Sequence, residues 1–266
     1  MDSGLKMKAD FDKSFYYVGD NIAATVKITA GGRPVLGLTD VFVNVTWPKE
    51  GLNNWLSSYE VSETELQKIP TNRSGEMLSP IARKAIYLTD IKKIAFPGRI
   101  SPSTFHMYDD GTHGDVTASD GTYTAWIKDT LKEGTFSFYF RASGIIGKGA
   151  FERDEVIQKY VTLNTASLNI LVDVNEIPSV PKVNRYEVVL TPKDDFENFL
   201  GPGYARSIKA RATQGTIIEG IKDNIDGTYS LLLDLQEKAD IRDVYINGSA
   251  KDTKFSFNLF DELLRN

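Results

Sequence analysis

The phrase Asp120-Gly121-Thr122-Tyr123-Thr124 returns almost unchanged as Asp226-Gly227-Thr228-Tyr229-Ser230. Asp-Gly supplies the left-handed backbone that a tight turn requires. The aromatic residue that follows opens a stretch in which apolar residues alternate. Further acidic or amide residues precede each copy: Asp109-Asp110-Gly111-Thr112-His113-Gly114-Asp115 before the first, Asp223-Asn224 before the second. A turn-then-strand phrase that recurs after roughly a hundred residues has the spacing of two β-sandwich domains in tandem.

Outward from these phrases the chain keeps a period of two, the mark of half-buried strands. Ile22, Ala24, Val26 and Ile28 fall on one face, as do Val41, Val43 and Val45, and Phe136, Phe138 and Phe140. In the C-terminal part Tyr186, Val188 and Leu190 repeat the pattern, followed by Leu231, Leu233 and Leu235, then Phe255, Phe257 and Leu259. Residues 49–100 break it. Ser62-Glu63-Thr64-Glu65 has the form of a capping box at a short helix start, and Ile81 to Ile94 suits a helix or a strand. This irregular excursion is a candidate binding surface; the plainer reading is that it covers a sheet edge. Pro178 and Pro181 mark a stiff connector, within which Ile170-Leu171-Val172 also suits a strand, either the last of the first domain or one running onto the second. The expected architecture is all-β, two tandem immunoglobulin-like β-sandwich domains. Residues 1–166 form the first, with the insertion, residues 167–185 a linker, and residues 186–266 the second.

Composition narrows the function. A net charge of −5 over 266 residues argues against a nucleic-acid partner, which needs a basic face. The absence of cysteine removes disulfides, thiolate catalysis and Cys-ligated zinc. No apolar run approaches the length of a membrane span, and the N-terminus shows no basic stretch leading into an apolar core, so no signal peptide is visible in the sequence.

Two resemblances attach to these motifs. The stretch Tyr108 to Thr124, with Gly134-Thr135-Phe136-Ser137-Phe138, Phe151-Glu152-Arg153, Tyr17-Val18-Gly19-Asp20 and Arg33-Pro34-Val35, resembles the β-sandwich module of bacterial "choice-of-anchor X" surface proteins. It is also similar to the sandwich of calcium-activated chloride channel regulators. Asp194-Asp195-Phe196-Glu197-Asn198, Leu200-Gly201-Pro202-Gly203 and Asp223 to Tyr229 resemble a filamin-type or invasin-type immunoglobulin-like repeat, with Glu197 standing where glycine is more usual. The resemblances imply spacers and binding surfaces of larger proteins, without chemistry of their own.

Asp109, Asp110, Asp115 and Asp120 are the candidate metal ligands, with calcium as the candidate ion, because hard carboxylate oxygens suit it. Their spacing is not that of an EF-hand. The competing reading is that each aspartate bonds backbone amides within a turn. His106 and His113 are read as an exposed strand histidine and a turn histidine rather than a metal pair. No Gly-x-Ser-x-Gly turn is present, and Gly144 to Gly149 lacks the order of a phosphate loop. Trp47 and Trp126 sit in strand patterns and are expected in the core. Trp55 lies in an expected loop and is the candidate for stacking on a sugar. The expected role is therefore non-catalytic: a stalk or adhesion-type segment of a larger secreted or surface-anchored bacterial protein. The alternative is a carbohydrate-binding or accessory module of a secreted hydrolase. The expected partners are neighbouring domains or a surface or glycan ligand, and no cofactor is required.

Overall fold

The structure, a computed structural model, describes residues 4–72, 74–178 and 182–266. The reading of residues 1–3 and of Ser179 to Pro181 in the proline stretch lies outside them. The chain is all-β, mostly strand with a few short helices, and divides into two compact units. One holds the chain through Glu50 together with Pro97–Thr162; the other holds Gly51–Phe96 and Leu163–Asn266.

The first unit contains β1 (Leu5–Phe11), β2 (Tyr16–Tyr17), β3 (Ile22–Ala30), β4 (Arg33–Pro34), β5 (Asp40–Thr46), β6 (Ser103–His106), β7 (Thr122–Ile127), β8 (Gly134–Ile146) and β9 (Gly149–Thr162). One sheet runs β1-β3-β4, with β7 also paired to β3; the second runs β2-β9-β8-β5-β6. Pairing is antiparallel except for β2 on β9. The period-two faces read from sequence meet here. Ile22, Ala24, Val26 and Ile28 of one sheet share a core with Val41, Val43, Val45, Phe136, Phe138 and Phe140 of the other. Complete burial of one such side chain is worth about 1.5–3 kcal/mol, so this core stabilises the unit far more than its surface pairs do.

The second unit begins with the helical excursion: α1 (Leu52–Ser57), α2 (Glu63–Leu66) and α3 (Pro80–Ile86), the last continuing as a wider turn over Tyr87–Ile91. The capping box forms as read: Ser62 Oγ accepts from Glu65 N at 3.3 Å, and Ser62 N donates to Glu65 Oε2 at 3.3 Å. Trp55, Leu56, Val61, Leu66, Tyr87 and Leu88 make a small core of their own, against which Ile225 packs. The excursion therefore groups with the C-terminal strands rather than with the domain that flanks it in sequence. Those strands are β10 (Asn169–Ile177), β11 (Val183–Lys193), β12 (Ile208–Ala212), β13 (Thr216–Ile217), β14 (Lys222–Asp223), β15 (Tyr229–Gln236), β16 (Tyr245–Ala250) and β17 (Thr253–Asn258), closed by α4 (Leu259–Leu263). They form two sheets, β10-β11-β15-β13 with β14 also on β15, and β12-β16-β17, around one core.

The linker expected over residues 167–185 is mostly strand. β10 pairs with β11 along its full length, from Asn169 opposite Lys193 to Ile177 opposite Arg185. The physical reason lies in its alternation: Val174 is buried, and Ile170 and Val172 pack against the second core. The strand alternative at Ile170-Leu171-Val172 is the one that forms, and it runs on to Ile177.

Candidate functional site

Both Asp-Gly-Thr-Tyr phrases fold the same way. Gly121 takes φ +80° and Gly227 φ +90°, the left-handed region that favours glycine. A Cβ on Gly121 would meet Pro34 Cβ at 2.7 Å, and one on Gly227 would meet Ser57 Oγ at 2.4 Å. The preceding aspartate turns back on the chain: Thr122 N donates to Asp120 Oδ1 at 2.8 Å, and Thr228 N to Asp226 Oδ1 at 2.9 Å. The tyrosine then points inward and its hydroxyl ties down a distant loop. Tyr123 OH donates to Val35 O at 3.0 Å and accepts from Leu38 N at 3.0 Å. Tyr229 OH donates to Gly201 O and accepts from Tyr204 N at 3.4 Å. Burial raises the pKa of both phenols, so each hydroxyl remains a donor.

In the first unit the acidic loop hangs between Tyr108 and Thr124, which exchange backbone hydrogen bonds at 2.8 and 2.9 Å. Asp109 accepts from Asp120 N and Gly121 N, both at 3.0 Å. Asp115, only 9% exposed, accepts from Gly111 N at 2.7 Å and Thr117 N at 3.2 Å. Asp109, Asp115 and Asp120 bring one carboxylate oxygen each within 4.8 Å of the others. Asp110 is not part of that group. It accepts from Thr112 N at 2.8 Å and Thr112 Oγ1 at 2.6 Å, and lies 3.5 Å from His113 Nδ1. The hydroxyl bond above all, and the imidazole beside it, hold its carboxyl below the usual range. Three of the four candidate ligands thus converge, and the fourth braces the loop from outside.

The second loop is built of the same turns but carries an internal cation. Asp223 accepts from Ile225 N at 2.8 Å and Gly203 N at 2.5 Å, and burial raises its pKa. Lys84 on α3, 0% exposed, donates its Nζ to Ile225 O, with Asp226 and Asp223 supplying attraction. Burial lowers the Lys84 pKa to about 8. Asn54 on α1 adds two contacts to the neighbouring loop: its Nδ2 donates to Glu197 O at 2.7 Å, and its Oδ1 accepts from Phe199 N at 3.0 Å. Glu197, the residue that departs from the repeat pattern, has φ +63°, the backbone that explains why glycine is usual there.

Two tryptophan expectations reverse. Trp55 lies on a helix at 3% exposure, inside the helical core, so it offers no face to a ligand. Its six-residue helix has no marked period in sequence, which is why the stretch reads as a loop. Trp126 is 39% exposed. The signal was present in its own strand: Tyr123, Ala125 and Ile127 are buried, so Trp126 and Lys128 must point the other way. Trp47 packs against the first core and stacks on Phe136 with ring centroids 6.0 Å apart. His106 and His113, separate in sequence, line one shallow cavity with Trp126.

No protein-family model matches the chain, and no curated protein matches it. Among solved structures it is similar to FdeC, an Escherichia coli adhesin, at 16% identity and a TM-score of 0.38, over 96% of this chain and 65% of that one. It is also similar to a DUF4785 family protein from Legionella pneumophila, at 9% identity and a TM-score of 0.33, over 97% of this chain and 57% of that one. The chain thus spans less than two thirds of either neighbour's length. At scores this low the likeness leaves the reading of the site to its own chemistry. Among the described residues no helix is long and apolar enough to cross a membrane.

Proposed function

We propose that the chain is a non-catalytic structural and binding segment, a stalk or adhesion-type module of a larger secreted or surface-anchored bacterial protein. The observation that supports this reading is the repetition of one corner in two β units. In each, the aspartates are engaged with turn amides and the tyrosine hydroxyl ties a loop to the core. Such corners suit a load-bearing scaffold whose loops carry the contacts with partners. The test is labelling of intact cells of the source bacterium with antibody raised against this chain. Labelling without permeabilisation supports the surface reading; labelling that requires lysis overturns it.

A second reading is favoured by the convergence of Asp109, Asp115 and Asp120: calcium occupies this loop and stiffens it. Carboxylate oxygens and nearby carbonyls are the donors that calcium takes. A ligand that binds only the folded state stabilises it by RT ln(1 + [L]/Kd), about 2.7 kcal/mol at a hundredfold excess over Kd. Melting curves in calcium and in chelator should therefore separate. Asp120→Asn keeps the acceptor for Thr122 N and removes the charge, so it should bring the curves together. Superimposed curves for the unaltered chain would sink this reading and leave the loop as turn chemistry.

A further inference from the structure

From the corner of the first unit we infer that Tyr108 and Trp126 form a platform for a pyranose ring of a glycan. This rests on the binding-segment reading above and names the ligand class and the residues. The platform arises where the chain changes sheets. β6 pairs with β5, with His106 opposite Phe42, whereas Tyr108, two residues later, bridges to Thr124 on β7 of the other sheet. Met107 between them is buried. Thr104, His106 and Tyr108 consequently face outward on one side, and Trp126 and Lys128 on the other. They line a shallow cavity of 530 Å³ with His113, within the range of small-ligand sites.

Both rings are backed by consecutive residues of the acidic loop. His113 stacks on Tyr108 with centroids 4.2 Å apart and planes at 25°. Gly114 lies so close to the Trp126 indole that an added Cβ would sit 2.6 Å from Nε1. The backing residues are themselves fixed: Thr112 Oγ1 and His113 Nδ1 are 2.6 Å apart, and Asp115 Oδ2 holds Gly111 N. Two aromatic rings that remain 42% and 39% exposed while each is held against the loop are pre-organised rather than collapsed onto the core. The chemistry selects the occupant. A pyranose presents C–H bonds on its ring faces and hydroxyls around its rim. Here flat apolar faces lie beside a hydroxyl (Thr104), two imidazoles (His106, His113) and an ammonium (Lys128), which together donate and accept around such a rim. A wholly apolar partner would offer nothing to the Lys128 ammonium or the His106 imidazole at this rim.

The experiment is an NMR titration of the intact chain with oligomers of β-1,4-glucose, β-1,4-N-acetylglucosamine and α-mannose, following the three indole N–H signals. The expected result is saturable movement of the Trp126 signal with at least one oligomer, with roughly millimolar affinity per ring engaged, while the buried Trp55 signal stays still. Trp126→Ala should weaken binding about tenfold. Tyr108→Ala, at an exposed position, gives a second reading if Trp126→Ala melts early. No movement of the Trp126 signal with any oligomer overturns the inference. So does binding that survives both substitutions. Either result stands apart from the cell-labelling test, which does not depend on this platform.

Discussion

The two Asp-Gly-Thr-Tyr corners begin from nearly the same residues and end in different surroundings. In the second unit a helical segment lies over the corner. Asn54 bonds the 197–199 backbone, and Lys84 places an ammonium on Ile225 O beside Asp223 and Asp226. In the first unit no lysine or arginine pairs with Asp109, Asp115 or Asp120 among the described residues; the loop instead supports Tyr108 and Trp126 at the surface. The difference teaches that the turn and the tyrosine anchor are local and portable, whereas the charge balance of the loop is set by whatever packs against it. One corner is closed into a core; the other remains available.

The sharpest way to break this comparison is to uncover the second corner. Trp55→Ala should cost about 3–5 kcal/mol, read as a fall in the urea midpoint of the second unit, with hydrogen exchange in the first unit unchanged. An equal loss of protection in β3, β5 and β8 would show that the helical segment serves both units alike. Trp55→Phe is the control. Its indole Nε1 is buried with no hydrogen-bond partner among the described residues, so losing the N–H should cost far less than losing the ring.

The internal cation has a pH signature. Lys84 has a folded pKa near 8, below its unfolded value of 10.5. Below about pH 8 both states are protonated and the fold carries the full cost of the buried charge. Between pH 8 and 10.5 the unfolded chain binds more protons, so this group makes stability rise with pH, by about 3 kcal/mol across the window. Lys84→Met should flatten that rise. An unchanged pH profile would mean that the ammonium is solvated, and the contrast between the corners would lose its electrostatic part.

Tyr123→Phe and Tyr229→Phe test whether the corners are equivalent. Each removes a hydroxyl that both donates and accepts, so each should cost about 1–2 kcal/mol, with the two values agreeing to within about 0.5 kcal/mol. A much larger loss at Tyr229 would show that the covering helices depend on its anchor. The smallest effect is expected at Glu197. Glu197→Gly relieves a left-handed backbone at φ +63° and should stabilise by about 1 kcal/mol, less what the Lys193 ion pair contributes. Destabilisation would identify that pair as the reason for glutamate.

Much of this is legible in the chain because the interactions involved are short. The aspartate-to-amide bonds of each turn span two residues, the capping box spans three, and strand faces repeat every second residue. The inward alternation of Phe136, Phe138 and Phe140 and the left-handed position at Glu197 belong to this class. What escaped the sequence depends on partners far away. Lys84 meets Ile225 across 141 residues and Asn54 meets Glu197 across 143. No local period announces that a helical excursion between strands of one unit will pack with the other. The burial of Trp55 and the convergence of three of four aspartates were also decided in three dimensions, because burial and charge proximity depend on distance in space. Trp126 lies between the two cases. Its strand's alternation already turned it away from the core, but only the loop brought against it by the fold made it a supported, exposed ring.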